Sequence, residues 1–281
     1  MNGTFKKTNF HTHTVFCDGK NTAEEMVQAA LAKDFSVLGF SAHSMYPFAS
    51  YHLAPKQHAA YCAEIRRLKQ GYAGKIEILL GFEADFIEGF CAPRFDRYKD
   101  FAPDYLIGSV HYVPGSGGYF EADGAPDDVS ERIRSYFGGN EKKAVQEYFA
   151  CERQMLRKGD FTILGHPDLI RIQNSKRVLF DEEASWYKQE LAALTKEIAR
   201  SGVCVEINTG GMARGYLQQP YPSPYFLGLL HEAGVPVTIC SDAHKVELLD
   251  FWFPEAVQYA KVAGYTELAF CGSGGLQFQN I

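Results

Sequence analysis

An apolar, β-prone run that ends in a histidine or a carboxylate recurs six times along this chain, and few folds can use that pattern. The run ends are His11-Thr12-His13, Ser41-Ala42-His43, Gly81-Phe82-Glu83, Ser109-Val110-His111, Gly165-His166-Pro167-Asp168 and Ser241-Asp242-Ala243-His244. In a strand, residues i and i+2 point to the same side, so His11 and His13 can aim two imidazoles at one ion. One His-x-His pair arises easily by chance. Six run ends of the same chemical type do not.

Helical patterns separate the runs. Thr22 and Glu25 form a capping-box pattern, and Met26, Val27, Ala29, Ala30 and Leu31 keep helical spacing to about Lys33. Further helices are predicted over 55–71, 141–157, 181–199, 224–233 and 255–262, with one more strand over 203–207 and a strand-like tail at 268–271. Strand and helix thus alternate about seven times, which implies a parallel sheet. Two closures are open, a barrel or a doubly wound sheet. A barrel gathers the carboxyl ends of all its strands into one ring. An open sheet offers only the crevice at its switch point. With candidate ligands spread over six strands, the barrel is expected, as one α/β domain. The stretch 112–140, rich in Gly, Pro, Asp and Ser, is long for a connection and reads as an insertion over the site, with a short helix near 129–136.

Composition narrows the partners. The chain has 281 residues and a net charge of −6, so no basic face for nucleic acid is indicated. Its seven cysteines form no Cys-x-x-Cys pair, which points to a reducing compartment. The start of the chain lacks the apolar core of a signal peptide, and no run approaches the roughly 20 apolar residues of a membrane helix. A cytoplasmic protein is expected.

Six of the nine histidines sit at run ends, beside Glu83 and Asp242. Any one of them reads equally well as a satisfied polar residue at a loop mouth; all six together read as a metal site. Imidazole and carboxylate without thiolate suit Zn, Mn or Fe, and eight ligands exceed one ion, so two or three are implied. Glu83 is the natural bridge. Close divalent ions activate water at neutral pH, which is hydrolytic chemistry, and phosphate esters match it best. Arg171 and Arg214 lie in loops on the ligand side and would offer guanidinium forks to a phosphate, although solvated arginines look the same in sequence. Cys17 reads as packing. The Cys91-to-Arg97 spacing imitates a cysteine-phosphatase loop but holds a Pro and a Phe where small residues are needed. Neither Gly115-Ser116-Gly117-Gly118 nor Gly272-Ser273-Gly274-Gly275 leads into a P-loop Lys. His52, His58 and His231 read as surface residues.

The ordered set from His11 to His244 resembles the PHP family, named for polymerase and histidinol phosphatase. The resemblance runs from about residue 8 to 245 and implies a distorted (β/α)7 barrel with a trinuclear site. By that resemblance His11, His13, Glu83 and Asp242 would hold one ion; Glu83, His111 and His166 a second; His43, His244 and a first-loop residue a third. The first loop here, Cys17-Asp18-Gly19, is one residue short of the family's Cys-Pro-His-Gly type, and Asp18 stands where its histidine would be. Chain length, the insertion and the Asn208-to-Arg214 segment resemble the histidinol-phosphate phosphatase branch. That implies hydrolysis of L-histidinol phosphate in histidine biosynthesis, with Asp242 or His244 passing a proton to the leaving group. The alternatives are a related phosphoesterase acting on nucleotides or other small phosphates, and a metal-holding binding module without turnover. Intact ligand positions count against the last.

Overall fold

The computed structural model describes residues 5–44, 49–175, 177–272 and 274–281. Met1 to Thr4, on which part of the signal-peptide reading rests, and Ser273 of the second Gly-rich run lie outside them.

Seven parallel strands form the sheet. They are β1 (Lys7–Asn9), β2 (Phe35–Ser44), β3 (Glu77–Asp85), β4 (Tyr105–Ser109), and, after a two-stranded insertion, β7 (Ile163–Leu164), β8 (Cys204–Asn208) and β9 (Val237–Cys240), hydrogen-bonded in that order. The ring closes between the ends of β1 and β9 by a parallel bridge of Thr12 with Ala243: His13 N donates to Ala243 O at 2.9 Å and Ala243 N to His11 O at 3.1 Å. Asn9 staples this seam. Its Nδ2 donates to Ser241 Oγ at 2.6 Å and Leu249 O at 3.1 Å, and its Oδ1 accepts from His11 N at 3.1 Å. The barrel expected from the sequence is therefore formed.

Period-two alternation divides each strand between two cores. Along β3, Ile78, Leu80, Phe82 and Ala84 face the helices, whereas Leu79 joins Phe10, Val37, Tyr105, Ile107 and Ile163 inside the barrel. Above Leu79 the inward register passes through Gly81 to Glu83. The crossover helices α1 (Ala23–Ala32) and α2 (His58–Gly71) pack outside, α1 starting at the expected capping box: Thr22 Oγ1 accepts from Glu25 N, and Glu25 reaches back to Thr22 N.

The insertion is ordered. Strands β5 (Tyr112–Gly115) and β6 (Gly118–Glu121) form a hairpin whose turn is the first Gly-rich run, followed by α3 (Pro126–Phe137), longer than the helix expected there. Then come α4 (Glu141–Lys158), α5 (Ser185–Ser201), the single turn α6 (Gly210–Ala213), α7 (Pro224–Glu232) and α8 (Phe253–Val262). The tail is an antiparallel hairpin of β10 (Glu267–Gly272) and β11 (Gly275–Asn280), with Phe270 and Cys271 closing the bottom of the barrel core. Its second strand lies beyond the expected tail; Leu276 and Phe278 alternate with Gln277 and Gln279, but the run is short and mostly exposed. His58 also departs from expectation. It is 4% exposed and stacks 5.1 Å from Phe101, because the first turn of α2 aims its ring at the aromatic cluster behind β3. His231 is exposed as expected, and His52 is half-buried.

Tyr105 plugs the barrel interior. Its Oη donates to Phe10 O at 2.6 Å and Phe40 O at 3.0 Å, and its ring occupies the space over Gly39 and Gly81. A Cβ on Gly81 would stand 2.4 Å from the ring. Gly81→Ala is therefore expected to destabilise the fold by about 1–3 kcal/mol through overpacking, read as a lowered urea midpoint at unchanged slope.

Candidate metal centre

Every strand end except that of β8 delivers a candidate ligand to one rim of the barrel. The register does this directly: His43 pairs beside Glu83, and Glu83 beside Ile107, two residues below Ser109. Glu83, fully buried, is the centre. Its Oε2 lies 2.9 Å from His43 Nδ1, 3.1 Å from His11 Nε2 and 3.5 Å from His13 Nε2. Its Oε1 lies 3.0 Å from His166 Nε2 and 3.4 Å from His111 Nε2. Asp242 Oδ1 lies 3.3 Å from His13 and 3.6 Å from His11.

Asp18 reaches the same centre from the first loop. Cys17 N and Gly19 N both donate to Thr14 O, and Lys20 N donates to His244 O, folding the loop back on the seam. A Cβ on Gly19 would stand 2.6 Å from the His13 carbonyl carbon, so only glycine permits this close return. Asp18 Oδ2 then lies 3.0 Å from His244 Nε2, with Oδ1 3.7 Å from His13 Nδ1 and 3.8 Å from His43 Nε2.

All nine expected ligands, His11, His13, Asp18, His43, Glu83, His111, His166, Asp242 and His244, fall into four overlapping groups whose ligand atoms lie within 4.8 Å of one another. One group joins His13, Asp18, His43 and His244; another joins His11, His13 and Glu83. His13 and His43 each stand between two groups. The donor set passes a chemical test for divalent cations. It is nitrogen and oxygen only, and His11 Nε2, His13 Nε2, His43 Nδ1, Glu83 Oε2 and Asp18 Oδ1 are buried without hydrogen-bond partners. Buried polar atoms seldom stay unsatisfied, and here they converge.

Two carboxylates that the sequence reading left unassigned sit behind this ring. Glu206 lies 2.9 Å from His11 Nδ1 and accepts from His166 N at 2.9 Å, while Asp85 lies 2.7 Å from His111 Nδ1. Each fixes a ring so that Nε2 faces Glu83, the arrangement expected of metal-ligating histidines. Burial disfavours charge on His11, but Glu206, Glu83 and Asp242 outweigh it and hold this imidazole well above its ordinary pKa. Burial, with His244 and His43, pushes His13 down to about 3, which keeps the ring neutral with one nitrogen lone pair for a cation. Burial is outweighed at Asp242 by Arg214 and His11, which keep this carboxylate ionised. His166 and Asp242 also hold positive φ, of 24° and 50°, local strain at the site of function.

A cavity of about 260 Å³ opens over the centre, with Tyr51, Leu169, Ile172 and Tyr216 along its walls. Arg214 lines it, Nη2 3.1 Å from Asp242 Oδ2. Arg171 does not. Its Nε is held 2.8 Å from Glu182, its Nη1 donates to Pro220 O at 3.2 Å and faces Asp168 at 3.4 Å, and it is 5% exposed. Asp168 in turn accepts from Ser223 N at 2.8 Å, so this pair ties down the segment that follows Arg214. Burial pushes the thiols of Cys17 and Cys91 up to about 12, in keeping with packing rather than nucleophilic roles.

With this geometry in place, the chain compares clearly with known proteins. The PHP domain family matches residues 9–210. The chain belongs to the PHP domain family. Among curated relatives, the "Probable histidinol-phosphatase" of Deinococcus radiodurans is 30% identical, covering 92% of this chain and 95% of its own. That of Schizosaccharomyces pombe is 27% identical, covering 94% and 89%. The fold also matches a solved Listeria monocytogenes structure (TM-score 0.79, 22% identity, 89% of this chain and 99% of that one). It matches the Lactococcus lactis histidinol phosphate phosphatase, solved with zinc, L-histidinol and phosphate (TM-score 0.75, 21% identity, 97% and 99%). The seven-stranded ring is thus the PHP barrel. No helix among the described residues is long and apolar enough to cross a membrane.

Two outcomes follow for the PHP site. Glu206→Gln keeps size but loses the charge behind His11, and is expected to weaken metal affinity roughly 10- to 100-fold, read by metal content after dialysis against a weak chelator. Arg171→Ala strands Asp168 as a buried charge, and is expected to cost about 3–5 kcal/mol of stability, read by urea unfolding.

Proposed function

We propose that this chain is a metal-dependent phosphomonoesterase that hydrolyses L-histidinol phosphate to L-histidinol and phosphate, in histidine biosynthesis. One observation carries the chemistry: six imidazoles and three carboxylates converge on a cavity floor whose rim bears a guanidinium. The substrate assignment is supported by the full-length likeness to relatives named histidinol-phosphatase.

In this reading His11, His13, Glu83 and Asp242 hold one divalent ion, Glu83, His111 and His166 a second, and His43, His244 and Asp18 a third, as Zn, Mn or Fe. Bound there, such ions supply Lewis acidity toward phosphoryl oxygens and activate the attacking water. The protein's own groups do the rest. Arg214 uses one edge of its guanidinium on Asp242 and turns the other to a phosphoryl oxygen. Asp242 and His244 stand together, His244 Nδ1 3.6 Å from Asp242 Oδ1, where a proton can be passed to the leaving alkoxide. Leu169 and Ile172 give the carbon skeleton an apolar wall. Arg171 acts behind the site. The substrate is small, no nucleic acid is involved, and the unpaired cysteines suit a cytoplasmic enzyme.

The test is phosphate release from a panel of histidinol phosphate, AMP, other nucleotides, sugar phosphates and p-nitrophenyl phosphate, with Mn²⁺ or Zn²⁺ added. Histidinol phosphate is expected to lead by orders of magnitude in kcat/KM, and Glu83→Ala to lose both metal and turnover. Flat or nucleotide-led activity would discard the substrate and keep the metal chemistry. Full activity in metal-stripped protein would sink both.

A further inference from the structure

The cavity is lined by four carboxylates, Asp18, Glu83, Asp123 and Asp242. Three of them face imidazoles or Arg214 at 3.1 Å or less. Asp123 is different. Among the described residues nothing hydrogen-bonds or ion-pairs with its carboxylate, and its side chain is exposed. Yet its backbone is fixed on both sides. Ala122 N donates to His111 O at 2.7 Å, and the buried Gln173 donates from one Nε2 to Ala122 O and to Gly124 O, each at 2.9 Å. The clamp runs to the residue that β4 delivers and to the segment that follows His166. Asp123 also lies within electrostatic reach of His111, Tyr51, Tyr221 and Arg214. The insertion therefore holds an unpaired carboxylate in the wall of the cavity, which offers Arg214 to an anion and Asp123 to a cation.

We infer that Asp123 is a specificity-determining residue whose carboxylate receives a protonated amino group on the alcohol part of the phosphate ester. The inference deepens the phosphatase reading above and rests on it. An ester whose alcohol part is uncharged would leave Asp123 without a partner, whereas a protonated amino group gives this carboxylate a charge-assisted hydrogen bond. The role falls to the insertion rather than the barrel, so selection for the alcohol is separated from the groups that hold the phosphate.

The experiment compares wild type with Asp123→Asn, which keeps size and backbone clamp, on histidinol phosphate, N-acetylhistidinol phosphate and p-nitrophenyl phosphate. In the variant the ratio of kcat/KM for histidinol phosphate to that for p-nitrophenyl phosphate is expected to fall roughly 10- to 100-fold, mostly through KM. Acetylation should cost wild type a similar factor and cost the variant little. An unchanged ratio in the variant, or an equal acetylation penalty in both proteins, would overturn the role of Asp123 while wild-type preference for histidinol phosphate stands. If wild type shows no such preference, the substrate reading falls and this inference falls with it.

Discussion

One buried carboxylate governs this structure. Glu83 is shut away from solvent and ringed by His11, His13, His43, His111 and His166, which arrive from four different strand ends. A carboxylate in that position is tolerable only when paired, and burial alone would drive it to the neutral form. The imidazoles reverse that tendency and keep Glu83 ionised, despite full burial. Everything around it is arranged so that those rings hold their directions.

The arrangement works from outside inward. Tyr105 fills the barrel beneath the site and fixes the carbonyls of Phe10 and Phe40, the residues that lead into His11 and His43. Asn9 staples the seam where β1 meets β9, so the barrel closes at the place where His11, His13, Asp242 and His244 stand. Glu206 and Asp85 then lock two rings, and Asp168 with Arg171 ties the segment beyond Arg214. The strain at His166 and Asp242 is held in place by that frame.

Much of this was legible in the chain. Six apolar runs ending in ligand-type residues required a fold that gathers strand ends, and only a barrel does so for every strand. The structure brings all nine expected ligands together, including Asp18 from the shortened loop. Glu206 and Asp85 carried a weaker signal. Each is a carboxylate in an inward register, Glu206 flanked by the outward Val205 and Ile207, and Asp85 two residues beyond Glu83. Period two alone marks them as inward. Arg171 and Arg214 were indistinguishable in sequence, both being arginines in loops on the ligand side. Asp123 gave no signal at all, since an aspartate beside glycine in a polar stretch is ordinary turn chemistry.

The sequence by itself determined the element order, the strand-end ligands and their nitrogen and oxygen chemistry, because alternation, capping and residue type act locally. Only the tertiary structure decided which loops lean over the cavity and which turn away. Closure of the ring and packing of the insertion against His111 and Gln173 set those directions, and both depend on contacts between residues far apart in the chain. The same long-range packing buries Arg171 with Asp168 and leaves Arg214 and Asp123 facing the open space.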